Sequence, residues 1–255
     1  MISKVLITIC GRAGSKGFKN KNLKTFLGFP LVYYTLSAAE LFEKKAKDIV
    51  TVDICLNTDS EDLAKLVADK YPEVFYIKRK PELGMGDVPK SAVWNNCVDV
   101  MQSMKNIKYD YMIDMDITSP LRQVDDVYKA FLLKQNRQDA DLVESMCPAR
   151  RNPYFNMMKE DGDYVTTVIE SPFVARQQAP NVYDENASIY ILRANYFAEN
   201  GYMMNKAKTI PFIMRDTAVL DIDSEEDFKM MELVGGYLYS NEETYRAIRD
   251  NIRKD

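Results

Sequence analysis

The sequence predicts an α/β fold with a doubly wound, mainly parallel central sheet, and three observations predict it. From Lys4 to Met146, short apolar runs of strand length alternate with stretches in which apolar residues recur at helical spacing. The first apolar run empties into a glycine-rich loop, Gly11-Arg12-Ala13-Gly14-Ser15-Lys16-Gly17, and a helical pattern follows. In open α/β sheets that junction is where ligands bind. Apolar residues make up 46% of the 255, enough for one large core or a core with a smaller appendage.

Each element has its own warrant. Lys4 to Cys10 is apolar without alternation, as a strand buried on both faces should be. Pro30 suits the first turn of a helix, and Leu31, Tyr34, Thr35, Ala38, Leu41 and Phe42 follow helical spacing. Ile49 to Leu56 is a second strand, and Asp59 or Ser60 caps a helix through Ala68. Val74 to Ile77 is a short third strand, and Arg79 to Pro89 is a loop. A helix from Ser91 to Met104 carries the single tryptophan, Trp94. Tyr109 to Met115 is a fourth strand, followed by a helix over Val124 to Lys134 and a strand over Leu142 to Met146. Beyond Cys147 the pattern changes: Tyr154 to Glu160 and Asp163 to Ile169 flank Asp161-Gly162 as a β-hairpin does. Ile189 to Leu192 and Thr209 to Met214 are later strands. Ser224 caps a helix that Gly235-Gly236 should break, and a capping box, Ser240 to Glu243, should open a last helix to Ile252.

Composition narrows the chemistry. The net charge of −4 argues against nucleic acid as the main partner. Arg12, Lys16, Lys19 and Lys21 are therefore a local basic feature of an acidic chain, suited to a small ligand with phosphates. The chain has no histidine, which excludes His-based triads, His metal ligands and His acid/base catalysis. Cys10, Cys55, Cys97 and Cys147 are far apart with no CxxC, as expected of reduced thiols in a cytoplasmic protein. No 18-residue apolar run or signal-peptide pattern is seen, so no membrane span is expected.

Four stretches carry candidate chemistry. The glycine loop is neither a Walker A motif, because Ser15 precedes Lys16, nor GxGxxG; its N–H groups and cations suit anions, although a solvated basic turn is the simpler reading. Leu220-Asp221-Ile222-Asp223 puts two carboxylates on one face of an extended segment, where a hard cation such as Mg²⁺ (or Mn²⁺) relieves their repulsion. The plain alternative makes Asp223 a helix cap. Asp114-Met115-Asp116 at a strand end resembles the metal motif of nucleotide-sugar glycosyltransferases, and otherwise leads only into a turn at Thr118-Ser119-Pro120. Arg176 could pair bidentately with a carboxylate, or be a surface arginine.

In order and spacing these stretches resemble the CMP-sugar synthetases of the acylneuraminate cytidylyltransferase family: Arg12-x-Gly14-Ser15-Lys16-Gly17 with Lys21-Asn22, then Thr118-Ser119-Pro120-Leu121-Arg122, then Arg176-Gln177 through Asn186 to Ile189-Tyr190, then Asp221-Ile222-Asp223 with Asp227-Phe228. The resemblance spans roughly residues 2–234. It implies a Rossmann-like nucleotidyltransferase fold with a protruding β-hairpin dimerisation arm. The chain would divide into a nucleotide-binding core (1–150), the arm (151–180) and the remainder of the core with C-terminal helices (181–255). It also implies transfer of CMP from CTP to the anomeric 2-hydroxyl of a nonulosonic acid, a nine-carbon 2-keto acid sugar, with release of pyrophosphate, in a homodimer. By position, Cys10, Gly11, Arg12, Ser15, Asn22, Arg79 and Ser91 would contact the nucleotide. Arg12, Lys16 and Lys21 would serve the phosphates, Asp221 and Asp223 would hold the metal, and Asp116, Arg176, Gln177, Asn186 and Tyr190 would lie on the sugar side. This sequence departs from the sialic-acid enzymes at Asp116-Ile117 (usually Gln-Pro), at Asn152 (usually His), at Asp184 (often Arg) and at Ala187-Ser188 (usually Gly-Ala). These departures point to a relative of sialic acid, such as legionaminic or pseudaminic acid. Two rival readings are a glycosyltransferase with metal on Asp114 and Asp116, and a non-catalytic nucleotide sensor.

Overall fold

A computed structural model describes residues 2–14 and 17–254. Ser15 and Lys16, both expected in the nucleotide site, lie outside the described residues. In chain order the elements are β1 (Ser3–Gly11), β2 (Thr25–Phe26), β3 (Phe29–Pro30), α1 (Leu31–Ala46), β4 (Val50–Thr58), α2 (Glu61–Lys70), β5 (Phe75–Lys78), α3 (Lys90–Lys105), β6 (Tyr111–Met115), α4 (Val124–Asn136), β7 (Leu142–Pro148), β8 (Met158–Asp161), β9 (Tyr164–Thr167), β10 (Tyr183–Arg193), α5 (Tyr196–Asn200), β11 (Thr209–Ile213), α6 (Glu225–Asn241) and α7 (Glu243–Asn251).

Seven strands form the central sheet in the order β11-β7-β10-β6-β1-β4-β5. All its pairings are parallel except those of β10, which runs antiparallel between β6 and β7. The chain first builds outward from β1 to β4 and β5, then returns to place β6 on the other side of β1. The boundary between β1 and β6 is thus a switch point, and the loops leaving their carboxyl ends border a crevice. One face of the sheet packs Val5, Ile7 and Ile9 against α1, α2, α4, α6 and α7. The other packs Leu6, Cys55 and Met112 against Trp94, Cys97, Val98 and Met101 of α3 and against Tyr196 and Phe197 of α5. Among the described residues no helix is long and apolar enough to cross a membrane.

The C-terminal helices differ from expectation. Gly235-Gly236 does not break α6, which runs through to Asn241. A Cβ on Gly235 would stand 2.6 Å from Cζ of the buried Phe26, so glycine lets α6 lie against the β2–β3 hairpin. Ser240 is consequently inside α6 and caps nothing; Glu242 precedes α7 without a side-chain cap. Ser224 does cap α6, in a reciprocal box with Asp227 (Asp227 N–H to Ser224 Oγ 3.1 Å, Ser224 N–H to Asp227 Oδ2 2.8 Å). The hairpin of β8 and β9 is shorter than the sequence suggests and, among the described residues, its strands pair only with each other.

Candidate active site

The carboxyl ends of β1 and β6 and the segment entering α6 enclose a cleft of about 250 Å³, lined by Cys10, Arg12, Gly17, Phe18, Lys21, Asn22, Asp116, Thr118, Asp221 and Asp223. The glycine loop reaches this place because its glycines permit close approach. A Cβ on Gly11 would meet Leu63, Ile117 and Asn22 at 2.8–3.0 Å, and one on Gly17 would stand 2.4 Å from the carbonyl oxygen of Asp223. Asn22 donates to the Arg12 carbonyl at 3.3 Å and holds the loop's two ends together. Ala13 N–H donates to Asp59 Oδ1 at 2.6 Å, so the turn after β4 anchors the loop from its other side. Across the cleft Lys21 pairs with Asp223 at 3.0 Å. Burial, and then the charge of Asp116, raise the Asp221 carboxyl above its ordinary range.

A second cavity, of about 230 Å³, adjoins the first and shares Cys10 and Arg12 with it; Arg79, Leu83, Met85, Val88, Lys90 and Val93 complete its wall. Arg79 is buried and braced by Asn57 (Nε to Oδ1 2.7 Å). The Cys10 thiol is pushed well up by its contact with Cys97 and by burial, and so remains protonated. Ser91 does not present its hydroxyl here: it is fully buried and donates to the Tyr202 carbonyl at 2.6 Å.

Between the two cavities lies a charged knot in which Lys90, not singled out by the sequence, joins Asp114 and Asp116. Lys90 Nζ lies 2.7 Å from Asp114 Oδ2 and 2.6 Å from Asp116 Oδ2. Asp114 is fully buried and also accepts from Thr8 Oγ1 at 2.7 Å. Burial opposes the charge of Asp116, but Lys90 and the two bonds from Thr118 bring its carboxyl down to about 2. A metal on Asp114 and Asp116, the basis of the glycosyltransferase reading, would have to displace this ammonium. The available signal in the sequence was the Asp-x-Asp pair itself, which needs a counter-charge.

The expected sugar-side residues do not all gather. Tyr190 is buried beside the knot, its ring 4.9 Å from that of Trp94. Asn186 sits in a structural joint. It is buried, its Oδ1 accepts from Ser145 Oγ at 2.6 Å and its Nδ2 faces Met214 Sδ at 3.3 Å, where β10 shifts register and Ala187 takes a positive φ of 52°. Arg176 lines a third cavity with Asn152, Pro180 and Tyr183 and donates to the Arg150 carbonyl at 2.7 Å; Gln177 beside it is exposed. Neither lines the cleft of Asp116 and Asp221.

Comparison with known proteins shows the family of the chain. The family described as Cytidylyltransferase matches residues 6–244. The chain is 36% identical over 235 residues to the CMP-N,N'-diacetyllegionaminic acid synthase of Campylobacter jejuni, covering 91% of this chain and 95% of that protein. It is equally 36% identical, over 233 residues with the same coverage, to the post-translational flagellin modification protein B of Campylobacter coli. Among solved structures, CMP:2-keto-3-deoxy-manno-octonic acid synthetase complexed with CTP superposes with a TM-score of 0.61 at 15% identity, over 92% of this chain and 99% of that one, which is a likeness of fold. By the match across 6–244 and by its identity to these relatives, the chain belongs to the cytidylyltransferase family.

Proposed function

We propose that the protein transfers CMP from CTP to the anomeric 2-hydroxyl of a nonulosonic acid and releases pyrophosphate. The observation that carries this reading is the cleft where Arg12 and Lys21 share walls with Asp116, Asp221 and Asp223. It offers cations to a triphosphate and carboxylates to a metal ion. The adjoining cavity offers Arg79 and an apolar wall of Leu83, Met85, Val88 and Val93 to the nucleoside. Arg12 and Lys21 would neutralise the charge that builds on the phosphate oxygens as the hydroxyl attacks in line. Asp116 already accepts three hydrogen bonds and stays ionised, which makes it a poor acceptor for the hydroxyl proton.

The residues present fit a divalent ion. Asp221 and Asp223 offer only hard carboxylate oxygens, the donors that suit Mg²⁺ or Mn²⁺. Among the described residues no three acidic or thiol side chains enclose an ion. That fits an ion completing its coordination on substrate phosphates and water. When bound, it would neutralise charge on the transferred phosphate.

The relative named for N,N'-diacetyllegionaminic acid, together with the departures at Asp116, Asn152, Asp184 and Ala187, favours a legionaminic-type acceptor. We place the reaction in the cytoplasm, in keeping with four free cysteines. The exposed β8–β9 hairpin would pack on a second copy and bring the segment of Arg176 and Gln177 to that copy's sugar pocket. Pyrophosphate release from CTP, UTP and GTP with N,N'-diacetyllegionaminic, pseudaminic and N-acetylneuraminic acids tests the reading. Turnover restricted to CTP and a nonulosonic acid is expected; equal release from GTP would overturn it.

A further inference from the structure

Asp116 is the most completely fixed residue of the cleft. Its N–H donates to the Ser188 carbonyl at 3.3 Å, and its carbonyl accepts from Arg122 Nη2 at 3.0 Å and from Thr35 Oγ1 at 3.1 Å. Its Oδ1 accepts from both the N–H and the hydroxyl of Thr118, at 2.9 and 2.8 Å. Among the described residues its Oδ2 accepts from Lys90 alone, at 2.6 Å. A carboxylate has about four acceptor positions, so one on Oδ2 remains open, on a side chain that lines the cleft. A group held from every side with one open valence is how a site presents a directional contact to a ligand.

Lys90 is what aims that contact. It is the first residue of α3, and its ammonium is itself fixed by Asp114 and by the rings of Trp94 and Tyr190, whose centroids are 5.5 and 5.4 Å away. Without it, Asp114 would be a buried carboxylate left with one hydroxyl, and Asp114 and Asp116 would lose the ammonium that pairs with both. We propose that Lys90 is a positioning residue for the acceptor half of the reaction: it holds the Asp116 carboxylate so that its open lone pair receives a hydroxyl or amide N–H of the incoming sugar acid. This role rests on the function proposed above. It makes Lys90 a determinant of acceptor binding, although Lys90 also lines the neighbouring cavity.

The test uses the full chain with CTP, Mg²⁺ and N,N'-diacetyllegionaminic acid, reading KM for each substrate by pyrophosphate release and CTP affinity separately by calorimetry. Lys90→Met should raise the acceptor KM about tenfold, the scale of a hydrogen bond to a charged group, with CTP affinity held within about threefold. Lys90→Arg should recover part of the loss. Because Lys90 acts through Asp116, adding Lys90→Met to Asp116→Asn should cost less than about twofold more. Should Lys90→Met not fold, the same comparison is made with Lys90→Gln. An acceptor KM unchanged in the variants, an equal loss of CTP affinity, or full additivity with Asp116→Asn would each overturn the role of Lys90 while leaving the cytidylyltransferase reading intact. Wild-type protein that releases no pyrophosphate with any nonulosonic acid would overturn that reading, and this role with it.

Discussion

Lys21 Nζ stands 3.0 Å from Asp223 Oδ1 and donates to the Ile222 carbonyl at 2.5 Å, joining the first loop of the chain to the segment that enters α6. Asp223 is 80% exposed on its side chain, so the pair contributes little to folding. Its consequence is local: one cation and one carboxylate are kept ready at the place where phosphate and metal would meet. Asp221→Asn and Asp223→Asn should therefore fold with ordinary thermal stability, and each should lose roughly 10²–10³-fold in turnover, the scale of one preorganised electrostatic contact. Mg²⁺-dependent turnover at the wild-type level in both would remove these residues from the site.

The parts of this fold that could be read from the sequence are those that local rules decide. Strands buried between helices are mostly apolar without alternation, so Val5 to Ile9 and Tyr111 to Met115 announce themselves despite Thr8 and Asp114. The loop of Gly11 to Asn22 is legible because glycines and cations are placed together in the chain. Tertiary fit is not legible in that way. Gly235 reads as a helix breaker until Phe26 is seen against it. The burial of Asn186 at the bulge of β10 is not written in its local sequence. Lys90 is a single lysine at a helix start, and only the return of β6 beside β1 brings two aspartates to it.

Gly235 and its neighbour predict opposite signs for one substitution. Gly235→Ala gains about 1 kcal/mol of helix propensity, but its Cβ would press on Phe26, whose ring is packed by Tyr34 and Tyr239 at 5.1 and 6.2 Å and cannot give way. Overpacking costs about 1–3 kcal/mol, so the net change should be a lowered Tm. Gly236→Ala meets nothing nearer than Leu27 Cδ2 at 3.9 Å and should raise Tm by a few degrees. Thermal melts of the two variants settle it, and a rise for Gly235→Ala would show that α6 does not lie against Phe26 as described.

Glu144 gives the fold a pH dependence. It is buried in β7, its Oε1 has no hydrogen-bond partner, and burial with the nearby charge of Glu185 pushes its carboxyl up to about 7. Unfolded, the same group ionises near 4.5. Between these values the folded protein holds the proton that the unfolded chain has released, so this contribution falls as pH rises from 4.5 to about 7 and is flat outside that window. The total is at most on the order of 3 kcal/mol. Denaturant midpoints at pH 5 and pH 8 should therefore move closer together in Glu144→Gln than in the wild type. An unchanged difference would place the titration elsewhere.

The β8–β9 hairpin is the element on which the proposed dimer rests. Its strands pair only with each other, from Met158 opposite Thr167 to Asp161 opposite Tyr164, around a tight turn at Gly162. Tyr164 is 82% exposed, Val165 67% and Met158 54%, and Val174 further along is 82% exposed. A two-stranded ribbon is marginal in water without a surface to lie on, and apolar groups gathered on an exposed projection mark an interaction face. In the dimer proposed above, a second copy would supply that surface under two-fold symmetry, each arm lying on the other protomer. Light scattering at micromolar concentration should give twice the chain's 29.4 kDa. The pair Tyr164→Glu and Val165→Glu should give single chains with the core still folded, because neither side chain is part of the core. Turnover should fall with the dimer if the segment of Arg176 serves the partner's acceptor pocket. A wild-type particle near 29.4 kDa would sink the dimer, and full activity in the dissociated variant would sink the shared pocket alone.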